Sequence, residues 1–233
     1  MKVGIMQPYL FPYLGYFQLI NAVDKFVIHD DVQYIKGGWI NRNSILINNT
    51  KFNFTFSVKK EHYYKNINER YYASNFEQES NKLLRNIEIA YKKSPNFHDI
   101  YKLIINILKQ NIKNVSEFNT MSIIEICNYI GIESDISMSS KLCKNNSLKG
   151  EERVIGINKC LKSSWYINPI GGIQLYSKDN FEKNNIKLNF IKMKDIKYKQ
   201  FNNNFIQSLS IIDVLMFNSK EETKRLLDEY QLI

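Results

Sequence analysis

The chain has 233 residues, 44% of them hydrophobic and 24% charged, a globular composition that excludes a disordered or fibrous polypeptide. Its net charge is +9, but the lysines are scattered among Asn and Ile without an arginine-rich arm, so the charge permits an anionic small molecule and argues against nucleic acid. Three cysteines, Cys127, Cys143 and Cys160, form no close pair, against a disulfide framework or zinc site; no leader pattern is present, and no apolar run nears the roughly 20 residues of a membrane span. A cytoplasmic protein with no membrane span is expected.

In chain order, the apolar run Val3 to Met6 stops at Gln7-Pro8. The residue before a proline avoids helical geometry, so the run reads as a strand entering a loop. The loop Tyr9 to Gly15 leads into an apolar-periodic segment, Tyr16 to Ala22, and a second apolar run, Lys25 to Ile28, ends in Asp30-Asp31. This order predicts an α/β, Rossmann-like fold: a mostly parallel sheet with flanking helices, binding ligands beyond the carboxyl ends of its strands. Ile45 to Val58 alternates at period two around Asn48-Asn49-Thr50 and predicts a hairpin. Glu61 to Tyr72 has no clear period and predicts a loop or irregular helix that moves over the site. Residues 76–131 turn helical, with Leu83, Leu84, Ile87 and Tyr91 on one face, a second helix at Ile100 to Leu108, and a third at Met121 to Ile130 ended by Gly131. They read as a helical insert within a single α/β domain spanning 1–233. Ile136 to Met138 predicts a short strand, and Lys149 to Arg153 opens a helix with acids in its first turn. Trp165 to Ile167 and Leu188 to Ile191 predict further strands around a polar helix, Lys178 to Asn185. Ser219 with Glu222 forms a capping box for a final helix to Tyr230.

Polar residues gather at the predicted strand ends. Asp30 and Asp31 are the candidates for a catalytic base or an amine- or metal-binding group; one is expected to cap the next segment and the other to face a ligand, with the assignment open. His29 either titrates near neutrality or packs as a strand histidine. Tyr9, Tyr13, Tyr16 and Tyr34 supply aromatic surface, of the kind that walls small-molecule pockets. Gly37-Gly38-Trp39 followed by Asn41-Arg42-Asn43 offers close backbone approach, a stacking face and a guanidinium fork for phosphate or carboxylate, or else a glycine turn with Trp39 in the core. Lys36, Lys149 and Arg153 either extend an anion site, Arg153 foremost, or are ordinary surface cations, the commoner fate of lysine. Asn168, Gly171 and Gly172, with Tyr176 beneath, make a second wall or an ordinary tight turn. Asp213, inside the apolar segment Leu209 to Phe217, is expected to pair with Arg42 or to cap a helix. Cys160 has no histidine placed to activate it as an acyl acceptor. Nothing in the pattern identifies a cofactor, a metal set or an oligomeric state.

Met6-Gln7-Pro8-Tyr9 through Phe17-Gln18-Leu19-Ile20, Asp30-Asp31-Val32-Gln33-Tyr34, Gly38-Trp39-Ile40-Asn41-Arg42-Asn43, Tyr166 through Gly172, Leu175-Tyr176 and Leu209 through Asn218 together resemble the WbqC-like family over essentially the whole chain. The resemblance implies bacterial surface-polysaccharide (O-antigen) biosynthesis and transfer of an acyl or aminoacyl group, such as glycyl, to an amino sugar. The expected partners are then a nucleotide-linked amino sugar and an activated acyl donor. Asp30 or Asp31 would orient or deprotonate the amine, and Arg42 with helix N-termini would hold the diphosphate. Gln7, Asn41 and Asn168 would give neutral hydrogen bonds. Tyr13-Leu14-Gly15-Tyr16 is also similar in frame to the His-x-Gly-His of nucleotidylyltransferases, with both histidines replaced by tyrosine, which removes the imidazolium charge. A nucleotidylyl or adenylate-forming transferase is therefore the alternative enzyme. A non-catalytic sugar-nucleotide-binding or scaffold protein is the alternative outside catalysis.

Overall fold

The apolar runs form strands because alternate residues bury on opposite faces of one sheet. In the computed structural model, which describes residues 1–201 and 204–233, β1 (Lys2–Met6) lies parallel to β2 (Lys25–Ile28) on one side and to β6 (Trp165–Pro169) on the other. Val3 and Ile5 point into one apolar cluster. Gly4 points the other way, where a Cβ would come within 3.2 Å of Leu19 and 3.3 Å of Phe26. That missing side chain lets α1 (Leu14–Asn21) lie close on the sheet. β5 (Asp135–Met138) extends the sheet beyond β2, and β7 (Lys187–Met193) extends it beyond β6, both parallel. With β8 (Tyr230–Leu232) at the far edge, the order is β5-β2-β1-β6-β7-β8, with the chain building outward in one direction from β1 and in the other from β6.

Helices cover both faces. α5 (Gly150–Cys160) and α6 (Lys178–Lys183) supply Val154, Ile155, Ile157 and Phe181 to the cluster under Val3, Ile5 and Tyr166. The opposite cluster joins α1 to α2 (Phe76–Tyr91), α3 (Phe97–Leu108), α4 (Val115–Ile130), α7 (Ile211–Phe217) and α8 (Lys220–Leu227). The expected hairpin is β3 (Arg42–Ile47) with β4 (Thr50–Thr55), a separate two-stranded ribbon. It turns at Asn48 and Asn49, whose φ of 50° and 56° are left-handed values asparagine tolerates. Among the described residues no helix is long and apolar enough to cross a membrane.

Two local expectations change, while Glu61 to Tyr72 is the irregular segment expected. The last helix stops at Leu227, and Tyr230–Leu232 forms β8, antiparallel on the edge of β7. Glu61 to Tyr72 is held by a 3-10 turn at Ile67–Glu69 with its own capping box at Asn66 and by Arg70 donating to the His62 carbonyl at 2.8 Å. Asp213 does not pair with Arg42. It is fully buried and accepts hydrogen bonds from Tyr91 Oη at 2.8 Å, Tyr198 Oη at 2.6 Å and Gln200 Nε2 at 2.8 Å, tying the segment after β7 to α2 and α7. Burial raises its pKa, and those three donors oppose the rise.

Candidate functional site

Where the sheet's direction of growth reverses, the loops leaving β1 and β6 part and leave a crevice, the usual ligand position in open parallel sheets. A cleft of about 830 Å³ opens there, within the range of small-molecule sites. Gln7 and Tyr9 from the loop after β1, Tyr13 and Gly15 at the start of α1, and His29 after β2 line it on one side. Asn168, Gly171, Gly172 and Tyr176 from the β6 exit line the other. Trp39, Asn43, Lys51 and Lys192 complete the wall, and the only charged side chains among the described lining residues are those of Lys51 and Lys192.

The loop after β1 is fixed from behind. Asn43, buried in β3, donates to the carbonyls of Leu10 at 3.0 Å and Phe11 at 2.6 Å. Asn119 of α4 donates to the Pro8 carbonyl at 2.9 Å. Tyr16 is fully buried and donates to the Gln7 carbonyl at 2.9 Å, so it braces the loop beneath the cleft and is not among the lining residues. Burial raises the pKa of Tyr9 and Tyr13, which stay protonated. The Gln7 side chain engages no protein partner among the described residues and is open to a ligand.

Trp39 is held over the opening by cations. The Arg42 guanidinium carbon lies 5.5 Å and the Lys51 ammonium 5.8 Å from its ring. Arg42 donates to the carbonyls of Gly38, at 3.1 Å, and Gly37, so its fork is engaged in closing the glycine turn. Asn41 bonds the Phe56 carbonyl at 2.7 Å and accepts from Tyr34 at 3.0 Å; neither it nor Tyr34 lines the cleft. Lys36 is exposed on the same turn. On the far wall Asn168 accepts from Tyr166 Oη at 2.7 Å and donates to the Pro169 carbonyl at 3.0 Å. A Cβ on Gly172 would sit 2.0 Å from Asn168 Nδ2, so glycine is required for that close approach.

The three polar residues after β2 divide. Asp30 is fully buried, and Ser140 donates to both its oxygens, from the backbone N–H at 2.9 Å and from Oγ at 2.6 Å. Burial raises its pKa against those bonds. Asp31 accepts from Lys144 at 2.6 Å and pairs with Arg153 at 2.7 Å. Burial alone would raise its pKa, but the bond from Lys144, the nearby Ser139 hydroxyl and the charges of Arg153 and Lys144 leave it lowered. Neither carboxylate lines the cleft, whereas His29 does. Burial, opposed by Asp31 and helped by Arg153 and Lys144, lowers the His29 pKa to about 4, so it is neutral at pH 7 and does not titrate near neutrality. Its Nε2 is buried and has no hydrogen-bond partner among the described residues.

Arg153 thus serves Asp31 from α5, and Lys149 is only the residue preceding that helix. Cys160 bonds through Sγ to the Cys143 carbonyl at 3.0 Å and lies outside the cleft. Sequence reasoning missed Lys51, Lys192, Gln18 and Lys144. Lys192, near the carboxyl end of β7, obeyed the same strand-end logic that singled out Gln7. Lys144 carried no local signal. Gln18 donates to the carbonyls of Leu226 at 2.8 Å and Glu229 at 3.1 Å, clamping the C-terminal segment against α1 at the cleft floor.

Fold and site together define a mixed α/β protein with a ligand-sized crevice at the carboxyl ends of a mostly parallel sheet. The chain belongs to the WbqC-like protein family, whose model matches residues 7–225. It is also 32% identical over 140 residues to an uncharacterized protein of Mycobacterium tuberculosis, an alignment covering 59% of this chain and 60% of that one. The chain thus matches under two thirds of that relative's length. No solved structure matches the chain.

Proposed function

We propose that the chain is a Rossmann-like transferase of surface-polysaccharide biosynthesis that binds a nucleotide-linked amino sugar in this cleft and acylates its amine. The observation that carries the reading is the lining itself: aromatic faces on both walls, two lysines, and no carboxylate among the described residues. That is the complement of a flat base and a diphosphate, and it repels no negative charge. Trp39 is the stacking face for the base, positioned by Arg42. Lys51 and Lys192 flank the diphosphate. Gln7 gives a neutral hydrogen bond to the sugar.

His29, in place of Asp30 or Asp31, is the group we assign to proton transfer. As the amine nitrogen bonds to the acyl carbon and the donor's leaving group departs, the nitrogen must lose a proton. A neutral imidazole whose buried Nε2 has no hydrogen-bond partner among the described residues is able to take it once the bound amine reaches that atom. The anionic substrate beside His29 would raise the imidazole pKa from about 4 toward a useful range. Asp31, held by Lys144 and Arg153, opposes the depression of that pKa from behind. The amide chemistry and the acyl donor rest on the family resemblance; the cleft supports the nucleotide sugar.

The test is incubation of the protein with nucleoside-diphosphate amino sugars and activated acyl or aminoacyl donors, read by mass spectrometry. A product heavier by one acyl residue is expected from wild type and is lost in His29→Gln. Tight binding of the nucleotide sugar with no product from any donor class would replace the transferase by a non-catalytic sugar-nucleotide-binding protein.

A further inference from the structure

Away from the cleft, two loops hold large apolar side chains out in water on a rigid base. Ile35 is 62% exposed, Tyr63 60% and Tyr64 63%. The loops are joined by the Tyr34 N–H donating to the Lys65 carbonyl at 3.2 Å and by Gln33 Nε2 donating to the Tyr63 carbonyl at 3.3 Å. Tyr63 and Tyr64 lie with ring centres 3.8 Å apart, and His62 is 5.1 Å from each. Below them Arg70 is buried, donates to the His62 carbonyl and lies over the Tyr34 ring at 5.1 Å. The loop backbones are tied in this way, so docking them costs little backbone entropy.

The surrounding charge is net positive. Lys36, Lys59 and Lys60 are exposed and make no ion pair among the described residues, while Glu61 is neutralised by Lys65 and Glu69 is engaged in the capping box at Asn66. Exposed tyrosines beside lysines match the headgroup region of an anionic bilayer, where amphipathic rings settle and each lysine is attracted by the surface potential. A protein partner fits less well, because lysine is depleted from protein interfaces. Single-stranded nucleic acid fits less well too: base stacking needs open ring faces, and each of Tyr63 and Tyr64 has one face turned to the other.

We propose that the loops carrying Ile35 and Tyr63-Tyr64 form a peripheral docking surface for an anionic lipid bilayer. Trp39, on the same loop as Ile35, lines the cleft, so docking sets the mouth of the cleft beside the membrane surface.

The test is co-sedimentation of the full chain with vesicles of phosphatidylglycerol and phosphatidylcholine, and with phosphatidylcholine alone, at two salt concentrations. Binding to the anionic vesicles that weakens with salt is expected. Lys36→Gln/Lys59→Gln/Lys60→Gln should lower it by about a hundredfold, for three attracted charges. Ile35→Ser/Tyr63→Ser/Tyr64→Ser should lower it at least about tenfold with the melting temperature unchanged, since the three side chains are exposed. No sedimentation with anionic vesicles, equal binding to neutral ones, or undiminished binding by both variants would overturn the proposal. So would retention of a single-stranded oligonucleotide by a protein that ignores vesicles. The vesicles contain no nucleotide sugar, so the outcome is independent of the proposed transferase activity.

Discussion

Acid should unfold this protein through His29 before its ion pairs fail. The fold holds the imidazole neutral with a pKa of about 4, against 6.5 when unperturbed. Between these values the unfolded chain binds the proton and the folded chain does not, so stability falls as pH falls. The full difference is about 3 kcal/mol, and about 2 kcal/mol of it is already lost at pH 5. That is a large part of the roughly 5–15 kcal/mol of a typical domain. Asp31, with a lowered pKa, keeps its contribution above the ordinary carboxylate range and loses it only below. Asp30 and Asp213, with raised pKa values, work in the opposite direction, favouring the fold as they protonate. Urea denaturation at pH 7 and pH 5 separates these groups when wild type is compared with His29→Gln, which cannot titrate. Wild type should lose about 2 kcal/mol more than the variant on acidification. Equal losses would refute the neutral, desolvated imidazole and, with it, the argument for His29 as proton acceptor.

Replacing Asp213 by Ala strands Tyr91, Tyr198 and Gln200 as donors and should cost about 3 kcal/mol or more, a melting-temperature drop of about 6–12 °C by calorimetry; a drop under about 2 °C would show the network to be dispensable. Gly172→Ala forces a Cβ onto Asn168 and should both destabilise by about 1–3 kcal/mol and weaken nucleotide-sugar binding, whereas Gly171→Ala, with open space around it, should do neither. Asp31→Asn removes the group that raises the His29 pKa while leaving Lys144 and Arg153, which lower it, so NMR titration should find the imidazole titrating at still lower pH. An upward shift would contradict the electrostatics described.

The opening strand, helix and strand were legible because each rests on local rules: an apolar run ended by Gln7-Pro8, and another ended before Asp30. The hairpin was legible from period two and paired asparagines. What joins distant segments was not. The sheet reverses its growth between β1 and β6, strands whose paired residues lie some 160 positions apart, such as Val3 and Tyr166. The three-residue strand β8 is too short to carry a period, and pairing with β7 alone makes it a strand. Strand-end logic named Gln7 and Asn168, which line the cleft with His29, read as either titrating or packed, but the directions of Asp30 and Asp31 are set by Ser140 and Lys144, 110 and 113 residues away. Arg42 lacked the apolar periodicity of a core residue, which made it look free for phosphate; the carbonyls of Gly37 and Gly38 that occupy it become partners only once the turn has closed.

The central claim is that this cleft holds a nucleotide-linked sugar, and calorimetric titration with a nucleoside-diphosphate amino sugar tests it most directly. Wild type should bind, and Lys51→Ala/Lys192→Ala should bind roughly 30-fold more weakly, at about 1 kcal/mol per lysine facing the diphosphate, with the melting temperature preserved. No binding by wild type, or equal affinity in the double variant, would contradict it.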